Sequence, residues 1–313
     1  MVECRHCQAK SFLSGEPLAT APCSKCGHLL LVPMQMRQFE LRSVIASGGM
    51  GTVYRAFDTS LQREVAVKMM KREMAQDPEV MEGFYREARA SAALNHSNII
   101  HIYSFDEFEG QPFLVMELAD NGSLDGWIDR EGRVPELSVL DVGFKIADAL
   151  NCALRKNLLH RDLKPANILF NEDIPPEPKL VDFGLARKAE TEEQTESTIW
   201  GTPYYVAPEK IRRTGEDFRS DMYSLAGTLY HAITGKVPFE APTIDELVQA
   251  HVYQPLIPPN QIVPDISQLT SDAIARAMAK EPADRFQDYN EFRLALEMAR
   301  GHLLRERFAT EAA

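Results

Sequence analysis

Four cysteines near the start of the chain have the spacing of a metal site. Cys4 and Cys7 form one Cys-x-x-Cys pair, and Cys23 and Cys26 form a second pair after 15 intervening residues. Each pair can direct two thiolates at one ion, and four sulfurs at about 2.3 Å complete the tetrahedron that zinc accepts. Two disulfides or a redox pair are the alternatives, which a secretory signal or a βαβ context would favour. The sequence shows neither context here, so the spacing predicts a structural zinc site.

A glycine-rich turn and one lysine have the residue types that phosphate binding uses. The Gly-Gly-Met-Gly run at residues 48–51 lies between two β-rich runs, residues 39–45 and 52–57. Glycines let backbone amides approach phosphate oxygens, although a hairpin turn also needs glycine for its own geometry. Lys68 ends a strand-like Val-Ala-Val-Lys run, where it could hold a phosphate or be a solvated charge.

Three further motifs follow in a fixed order. They are His160-Arg161-Asp162-Leu163-Lys164-Pro165-Ala166-Asn167, then Asp182-Phe183-Gly184, and then Ala207-Pro208-Glu209, preceded by Gly201-Thr202-Pro203. With these motifs the chain resembles the eukaryotic-type (Hanks-type) serine/threonine protein kinases over residues 39–304. The resemblance implies an α+β, bilobal protein-kinase fold, with a small β-rich N-lobe and a larger helical C-lobe. The cysteine segment that precedes it resembles a zinc ribbon.

The resemblance implies that the chain transfers the γ-phosphoryl group of ATP to a Ser or Thr hydroxyl group of a protein substrate. Asp162 would orient that hydroxyl and accept its proton, and Lys164 would neutralise the transferred group. Lys68 would hold the α- and β-phosphates. Glu87, on a helix that Asp77-Pro78 opens, would pair with Lys68 and fix its position.

The same resemblance implies how metal and nucleotide are bound. Asp182 and Asn167 would bind magnesium, with manganese as the alternative, because carboxylate and amide oxygens are hard ligands. Backbone groups of the hinge, residues 117–119, would bind adenine after a strand that ends at the gatekeeper Met116. The implied nucleotide-binding residues are Ile45, Gly48, Gly49, Gly51, Val53, Ala66, Lys68, Met116, Glu117, Ala119, Asn167 and Asp182. Ala46 replaces the usual first loop glycine, so we expect a modest effect on ATP affinity.

Hydroxyl side chains after the second motif are candidates for regulation by phosphorylation. Arg161 beside Asp162 resembles kinases that loop phosphorylation activates, because a phosphate offers strong acceptors to an arginine. Thr198 is the best-placed candidate and Thr195 another, with dimerisation allowing autophosphorylation in trans. Thr202 is a third candidate and resembles the residue that selects Ser/Thr acceptors, with an ordinary loop hydroxyl as the alternative.

Two other functions are consistent with parts of this pattern. A pseudokinase scaffold that binds nucleotide and signals by conformation would usually lack the equivalent of Lys68, Asp162 or Asp182, and none is missing. A small-molecule kinase of related fold is disfavoured by the Gly-Thr-Pro and Ala-Pro-Glu motifs, which build a peptide-binding platform in protein kinases.

The elements that must position these residues can be located from periodicity and spacing. Apolar residues at helical spacing lead directly into His160 and predict a buried helix beneath it: Leu140, Phe144, Ala147, Leu150 and Leu154. Cys152 on the same helix is predicted to be a small core residue. By resemblance, Asp221 holds the catalytic loop and Arg285 pairs with Glu209.

We therefore expect four segments along the chain. They are a zinc-ribbon-like Cys4 module at residues 1–32, a linker at 33–38, a protein kinase domain at 39–304 and a fraying C-terminal tail at 305–313. The apolar run Leu29-Leu30-Leu31-Val32 would be a strand of the module, with a docking surface as the alternative.

Composition limits the classes of partner. The chain has 313 residues, with 34 Lys plus Arg against 46 Asp plus Glu, and a net charge of −12. That acidity disfavours nucleic-acid binding, which needs clustered cations. The kinase resemblance implies protein substrates carrying Ser or Thr. We expect no membrane span, since about 20 consecutive apolar residues would be needed. Without a secretory signal, we expect a cytoplasmic location.

Overall fold

The computed structural model describes residues 2–4, 6–49, 51–183, 187–188 and 203–311, without the side chains of Glu87, residues 187–188 and residues 310–311. The chain divides into two compact units. Unit 1 comprises Met1–Ala92 and His101–Asp120, and unit 2 comprises Ala93–Ile100 and Asn121–Ala313. Strands dominate unit 1 and helices dominate unit 2, as the predicted α+β fold requires.

Unit 1 begins with two small antiparallel hairpins that carry the cysteine pairs. Their strands are β1 (Val2–Glu3), β2 (Lys10–Ser11), β3 (Thr20–Pro22) and β4 (Leu29–Leu31). Leu30 is buried against Cys4 and Cys23. The strand predicted in the apolar run 29–32 is therefore confirmed, and one of its side chains closes the small core around the thiols.

A six-stranded antiparallel sheet forms the larger part of unit 1. In sheet order its strands are β5 (Met34–Met36), β6 (Phe39–Ser47), β7 (Gly51–Asp58), β8 (Arg63–Met70), β10 (Gln111–Met116) and β9 (Ile102–Phe108). The glycine-rich turn joins β6 to β7, which confirms the predicted hairpin. Helix α1 (Pro78–Ala92) follows Asp77, whose Oδ1 accepts hydrogen bonds from the backbone of Glu79 and Val80.

The predicted linker at residues 33–38 is wrong, because its centre is strand β5. Met36 pairs with Phe39 and Met34 pairs with Leu41 in the sheet. Met36 is fully buried, and Leu18 of the cysteine module packs against the same apolar cluster. Burial of these apolar side chains favours a strand over an exposed linker. The cysteine module is thus continuous with the sheet.

Unit 2 contains eight described α-helices and four short strands. The helices are α2 (Leu124–Glu131), α3 (Glu136–Leu154), α4 (Pro208–Arg212), α5 (Phe218–Thr234), α6 (Ile244–Tyr253), α7 (Pro259–Ile262), α8 (Gln268–Ala277) and α9 (Tyr289–Glu311). The strands are β11 (Leu158–Leu159), β12 (Ile168–Phe170), β13 (Pro178–Leu180) and β14 (Arg187–Lys188). β11 pairs with β14 and β12 pairs with β13.

Helices α3 and α5 form the centre of unit 2. On α3, Leu140, Ala147 and Leu150 are fully buried as predicted, whereas Phe144 and Leu154 are only partly buried. Along α5 most residues are buried. No helix in the described ranges combines the length and the apolar character needed to span a bilayer.

Helix α9 continues to Glu311, so the first part of the segment predicted as a fraying tail, residues 305–313, is helical. Phe292, Leu296 and Ala299 fix the first half of this helix in the core. The residues after Gly301 are mostly leucine, arginine, glutamate and alanine, which favour continued helix even on an exposed surface.

Candidate active site

Three polar side chains converge in the loop between β11 and β12. Lys164 Nζ lies 2.7 Å from Asp162 Oδ2. Asn167 Nδ2 donates to the backbone oxygen of Asp162 at 2.8 Å and to its Oδ2 at 3.2 Å. The Asp162 side chain is 38% exposed, so a solute can reach its carboxylate. The loop thus presents a carboxylate held by one cation and one amide.

A buried aspartate holds the start of this loop. Asp221, on α5, accepts a hydrogen bond from His160 N at 2.6 Å and one from Arg161 N at 2.7 Å. Arg161 has a φ of 68°, a conformation that few residues other than glycine adopt. The predicted role of Asp221 in holding the loop is therefore confirmed by its contacts.

Residues 181–183 lie beside the loop that contains His160 and Asn167 within unit 2. Val181 N donates to Asn167 O at 3.0 Å, and His160 Nε2 lies 2.9 Å from Val181 O. The ring of Phe183 packs edge-on against His160 at 4.7 Å between centroids. Asp182, between Val181 and Phe183, is exposed and has a φ of 63°. The backbone thus places the Asp182 and Asn167 segments side by side.

Several predicted nucleotide-binding residues of unit 1 project from the same face of the sheet. Val53 of β7 and Leu114 of β10 both pair with Lys68 of β8. Arg55 and Met116 both pair with Ala66, two residues before Lys68. Paired residues in antiparallel strands project to the same side, as do residues two apart. This shared side of β7, β8 and β10 is called the nucleotide face below, and Ile45 lies at a bulge of the neighbouring strand β6.

The three glycines of the turn have different structural requirements. A Cβ atom built on Gly51 would lie 2.4 Å from the carbonyl oxygen of Met69 on β8. A Cβ atom on Gly48 or Gly49 would meet nothing within 4 Å. Gly51 is therefore required by sheet packing, while Gly48 and Gly49 leave open space above the backbone that a phosphate could approach.

The hinge segment is anchored at its first residue. Glu117 N donates to His101 O at 2.8 Å, and Glu117 Oε2 accepts from His101 N at 3.2 Å. Leu118 and Ala119 make no backbone–backbone hydrogen bond to another residue in the described ranges. Their amide and carbonyl groups are the ones for which the sequence predicts hydrogen bonds to adenine.

Several predicted residues lie outside what the structure describes. The side chain of Glu87 is one of them, so its predicted pairing with Lys68 stays a prediction. Gly184 and the phosphorylation candidates Thr195, Thr198 and Thr202 fall in undescribed residues as well. Lys68 itself lies 5.9 Å from the centroid of the Phe84 ring on α1.

A buried ion pair links α4 to the segment between α8 and α9 and confirms the predicted partnership of Glu209 and Arg285. Arg285 Nη1 and Nη2 donate to the two Glu209 oxygens at 2.7 and 2.8 Å, and both side chains are nearly inaccessible. Ser220 Oγ donates to Glu209 at 2.6 Å. Burial raises the pKa of Glu209, but the arginine and the hydroxyl outweigh it and leave that pKa below its ordinary value.

The four N-terminal cysteines form a single cluster of free thiols. Their sulfur atoms lie within 4.8 Å of one another. Cys4 and Cys26 Sγ are 3.6 Å apart, and Cys7 and Cys23 Sγ are 3.7 Å apart. A tetrahedron of sulfurs at about 2.3 Å from zinc has edges of about 3.8 Å, so the donor set fits a zinc ion.

The protonation of the cluster suits metal binding. Backbone hydrogen bonds at Cys26 and Lys25, with the Ser11 hydroxyl, lower the pKa of Cys23 to about 5. A backbone hydrogen bond at His28 lowers the pKa of Cys26, but desolvation and the neighbouring sulfurs outweigh it and raise that pKa to about 12. Cys23 is therefore a thiolate at neutral pH, the form in which cysteine binds a metal ion, whereas metal binding at Cys26 would displace its proton.

Some residues around these sites were not predicted from the sequence. Ser11 supports Cys23 through its hydroxyl at 3.6 Å, and Lys210 Nζ donates to Arg161 O at 3.0 Å. Arg55 pairs with Asp120 at the end of the hinge. These side chains are far from the motifs in sequence or outside their spacing, so no local signal marks them.

Comparisons with known proteins agree with this geometry. The family described as protein kinase domain matches residues 39–299. Serine/threonine-protein kinase Pkn1 of Myxococcus xanthus is 35% identical over 273 residues, covering 86% of this chain and 39% of Pkn1. PknB of Mycobacterium leprae is 35% identical over 265 residues, covering 83% of this chain and 42% of PknB. The chain thus spans about two fifths of the length of these curated relatives.

Solved structures give the same result at the level of the fold. The kinase domain of PknI from Mycobacterium tuberculosis superimposes with a TM-score of 0.64 and 29% sequence identity. The match covers 85% of this chain and 98% of the PknI domain.

Proposed function

Because the chain belongs to the Hanks-type serine/threonine protein kinase family, we propose that it transfers the γ-phosphoryl group of ATP to Ser or Thr hydroxyl groups of proteins. The observation that carries this proposal is the arrangement of Lys164 and Asn167 around the Asp162 carboxylate. Phosphoryl transfer needs positioned groups and charge neutralisation more than covalent chemistry, and these three residues can provide both.

The side chains of the loop divide the chemical work. Asp162 is exposed enough to accept a hydrogen bond from a substrate hydroxyl group and then its proton. Lys164, already beside Asp162, would place its positive charge next to the transferred group. Asn167 uses its Nδ2 for Asp162, which leaves its Oδ1 as a ligand for Mg²⁺ or Mn²⁺ together with Asp182. The metal would neutralise phosphate charge during the transfer.

The nucleotide would be bound by unit 1 residues in the roles that the sequence predicts. Val53, Ala66 and Met116 would contact the adenine from the nucleotide face, and Lys68 would bind phosphate oxygens. The pseudokinase alternative gains no support, since the lysine and both aspartates of catalysis are present and the relatives above are named as kinases.

A transfer assay tests this function directly. The protein is incubated with labelled ATP, Mg²⁺ and a generic basic protein, and the labelled amino acids are identified. We expect phosphoserine or phosphothreonine, with at least a ~100-fold lower rate in Asp162→Asn. Asp265→Asn is the matched control, because that side chain is 87% exposed and remote from the loop in sequence. Nucleotide binding without any transfer by the wild-type protein would contradict the proposal.

We also propose that phosphorylation after the second motif activates the enzyme. Thr198 is the leading acceptor, Thr195 and Thr202 are the others, and dimerisation would let one copy phosphorylate another. Arg161 supports this proposal, since its guanidinium is mostly buried and lies 3.7 Å from Glu216, where a phosphate could compete for it. Full activity in Thr198→Ala, with no phosphate found on residues 184–202, would contradict it.

For the cysteine cluster we propose structural zinc. The support is the fit of the four sulfurs to a tetrahedron and the hydroxyl that stabilises Cys23. Metal analysis of the purified protein should give about one zinc per chain. Less than about half an equivalent, together with oxidised cysteines, would favour the redox alternative. The predicted cytoplasmic location stays a prediction.

A further inference from the structure

We propose that Arg55 and Asp120 form a positioning pair that fixes the hinge for adenine binding, an inference that rests on the kinase function proposed above. Arg55 Nη1 lies 2.5 Å from Asp120 Oδ2. The two side chains are 13% and 4% exposed, so little water screens their attraction. They are 65 residues apart in sequence, which makes the pair a tertiary tether and not a local turn contact.

The position of the pair suggests what it tethers. Asp120 is the last residue of unit 1 and the end of the segment that begins at Glu117. Glu117 is held by two hydrogen bonds to the backbone of His101. Leu118 and Ala119 therefore lie between two fixed points, one at each end of the hinge. A short segment held at both ends presents its amide and carbonyl groups in one orientation.

The arginine end of the tether lies on the nucleotide face itself. Arg55 pairs in register with Ala66, and Met116 pairs with Ala66 from the other side. Arg55, which contacts Asp120, thus lies in one row across the sheet with Ala66 and Met116, two predicted adenine contacts. If the hinge moved relative to this row, the distance would change between the side chains that contact the adenine ring and the hinge groups that hydrogen-bond to it.

The arginine is itself oriented by its neighbours. Its Nε lies 3.1 Å from Glu64 Oε2, and Glu64 Oε1 lies 2.9 Å from Arg42 Nη1. The planar guanidinium of Arg55 can contact Glu64 and Asp120 at the same time through different nitrogens. A lysine in its place has one nitrogen and would serve the two carboxylates less well.

Loss of the pair should act on binding through the population of the competent hinge. If the hinge holds the adenine-binding orientation only about one tenth to one third of the time, the apparent Kd rises about three- to tenfold. The rate of the chemical step should change little, since Asp162 and its partners belong to unit 2 and keep their contacts. The signature is a change in KM for ATP with a nearly constant kcat.

The experiment compares binding of adenosine and of ADP to four variants of the full chain. The variants are Asp120→Asn, Arg55→Gln, their double mutant and the charge-retaining Arg55→Lys. Arg42→Gln is the matched control, because it removes one arginine from the same network and leaves the Arg55–Asp120 contact. Thermal unfolding verifies that each variant is folded. Arg55→Lys is the mildest change, so its nucleotide affinity can still be measured if the other variants do not fold.

We expect Asp120→Asn and Arg55→Gln each to weaken adenosine and ADP by the same factor of about three to ten. The double variant should be no weaker than either single variant, which is the mark of coupled residues, and Arg55→Lys should recover part of the affinity. Unchanged adenosine affinity, or a loss confined to ADP, would overturn the inference. Adenosine binding needs no phosphoryl transfer. An inactive wild-type protein would therefore contradict the kinase proposal, and the binding experiment would still test the role of the Arg55–Asp120 pair.

Discussion

The carboxylate of Asp221 supports the catalytic loop without touching any predicted substrate group. It accepts two backbone hydrogen bonds, from His160 N and Arg161 N, and it is only 3% exposed. An asparagine here would keep one acceptor oxygen but turn its amino group toward a backbone N–H. We therefore expect Asp221→Asn to lower kcat about 10- to 100-fold, because Asp162 follows directly after the misplaced backbone.

The measurement is steady-state kinetics with ATP varied. KM for ATP should change less than kcat, because the nucleotide-binding strands belong to unit 1. Asp217→Asn makes the same chemical change one turn earlier, at the N-cap of α5, where asparagine caps as well as aspartate. Wild-type kcat in Asp221→Asn would show that the loop holds its conformation without the second acceptor.

The glycine-rich turn allows a matched pair of alanine variants. Gly51→Ala would place a methyl group 2.4 Å from the Met69 carbonyl oxygen, a contact that forces two strands apart. Gly48→Ala meets nothing within 4 Å. We expect urea unfolding to show a loss of about 1–3 kcal/mol for Gly51→Ala, and less than about 1 kcal/mol for Gly48→Ala. Equal losses of unfolding free energy would mean that both substitutions act only through backbone conformational entropy, and that the contact with the Met69 carbonyl oxygen has no effect.

At the scale of elements, the Glu209–Arg285 pair fastens α4 to the segment between α8 and α9. Removing the arginine in Arg285→Met leaves a buried carboxylate without its partner, which costs about 3–5 kcal/mol of unfolding free energy at pH 7. Arg293→Met is the control, because Arg293 forms a half-exposed pair with Glu297 on α9 and should cost less than about 1 kcal/mol.

The pH dependence of that loss has a definite sign. In the wild-type protein the pKa of Glu209 is lowered, so its contribution to stability is complete above the pKa of an unfolded glutamate, about 4.3, and is lost as pH falls through the lower folded pKa. In Arg285→Met the unpaired carboxyl group is more easily protonated. The deficit of the variant should therefore shrink between pH 7 and pH 4, and a constant deficit would contradict this account.

Elements with local signals were predicted well. The glycine-rich hairpin, helix α1 after Asp77-Pro78 and the buried helix α3 all follow from turn residues, caps and periodicity. Strand β5 was missed because it has three residues, and its turn to β6 uses Arg37 at a φ of 51° instead of glycine. Arg37 is held there by the Asp106 carboxylate and by Glu107 O, contacts across the sheet that no local pattern reveals.

Some features of the candidate site could likewise be predicted from the sequence, and others could not. Residue types such as Asp162 and Lys164 are read from motifs, because the chemistry restricts what can occupy those positions. The left-handed backbone at Arg161 and Asp182 is not encoded by glycine and depends on tertiary partners, among them Asp221. The Arg55–Asp120 pair likewise joins a strand residue to a loop residue, and neither position carries a distinguishing signal.

For the whole molecule, the cysteine module and the sheet of unit 1 should lose stability together when zinc is removed. Val32 N donates to Ala19 O at 2.8 Å, Leu18 N donates to Val32 O at 2.9 Å, and Leu18 packs on the sheet core. Metal binding supplies much of the folding free energy of so small a module. Chelation should therefore release the contacts that hold residues 18–32 next to β5.

Hydrogen exchange followed by mass spectrometry measures this coupling. Peptides covering residues 34–41 should exchange at least about tenfold faster after chelation, because local opening becomes easier. Peptides from α5 in unit 2 serve as the internal control and should keep their protection. Unchanged exchange at residues 34–41 in the metal-free protein would show that β5 stays in the sheet without the module.

Strand β5 also occupies one edge of the six-stranded sheet. It is three residues long and covers Phe39–Leu41, the first third of the nine-residue strand β6. An uncovered strand offers a row of unpaired amides and carbonyls to any neighbour, and β6 begins with the apolar side chains Phe39 and Leu41. By pairing with β6, strand β5 keeps this part of β6 from pairing with another chain. We expect metal-depleted protein to self-associate through this edge as its concentration rises.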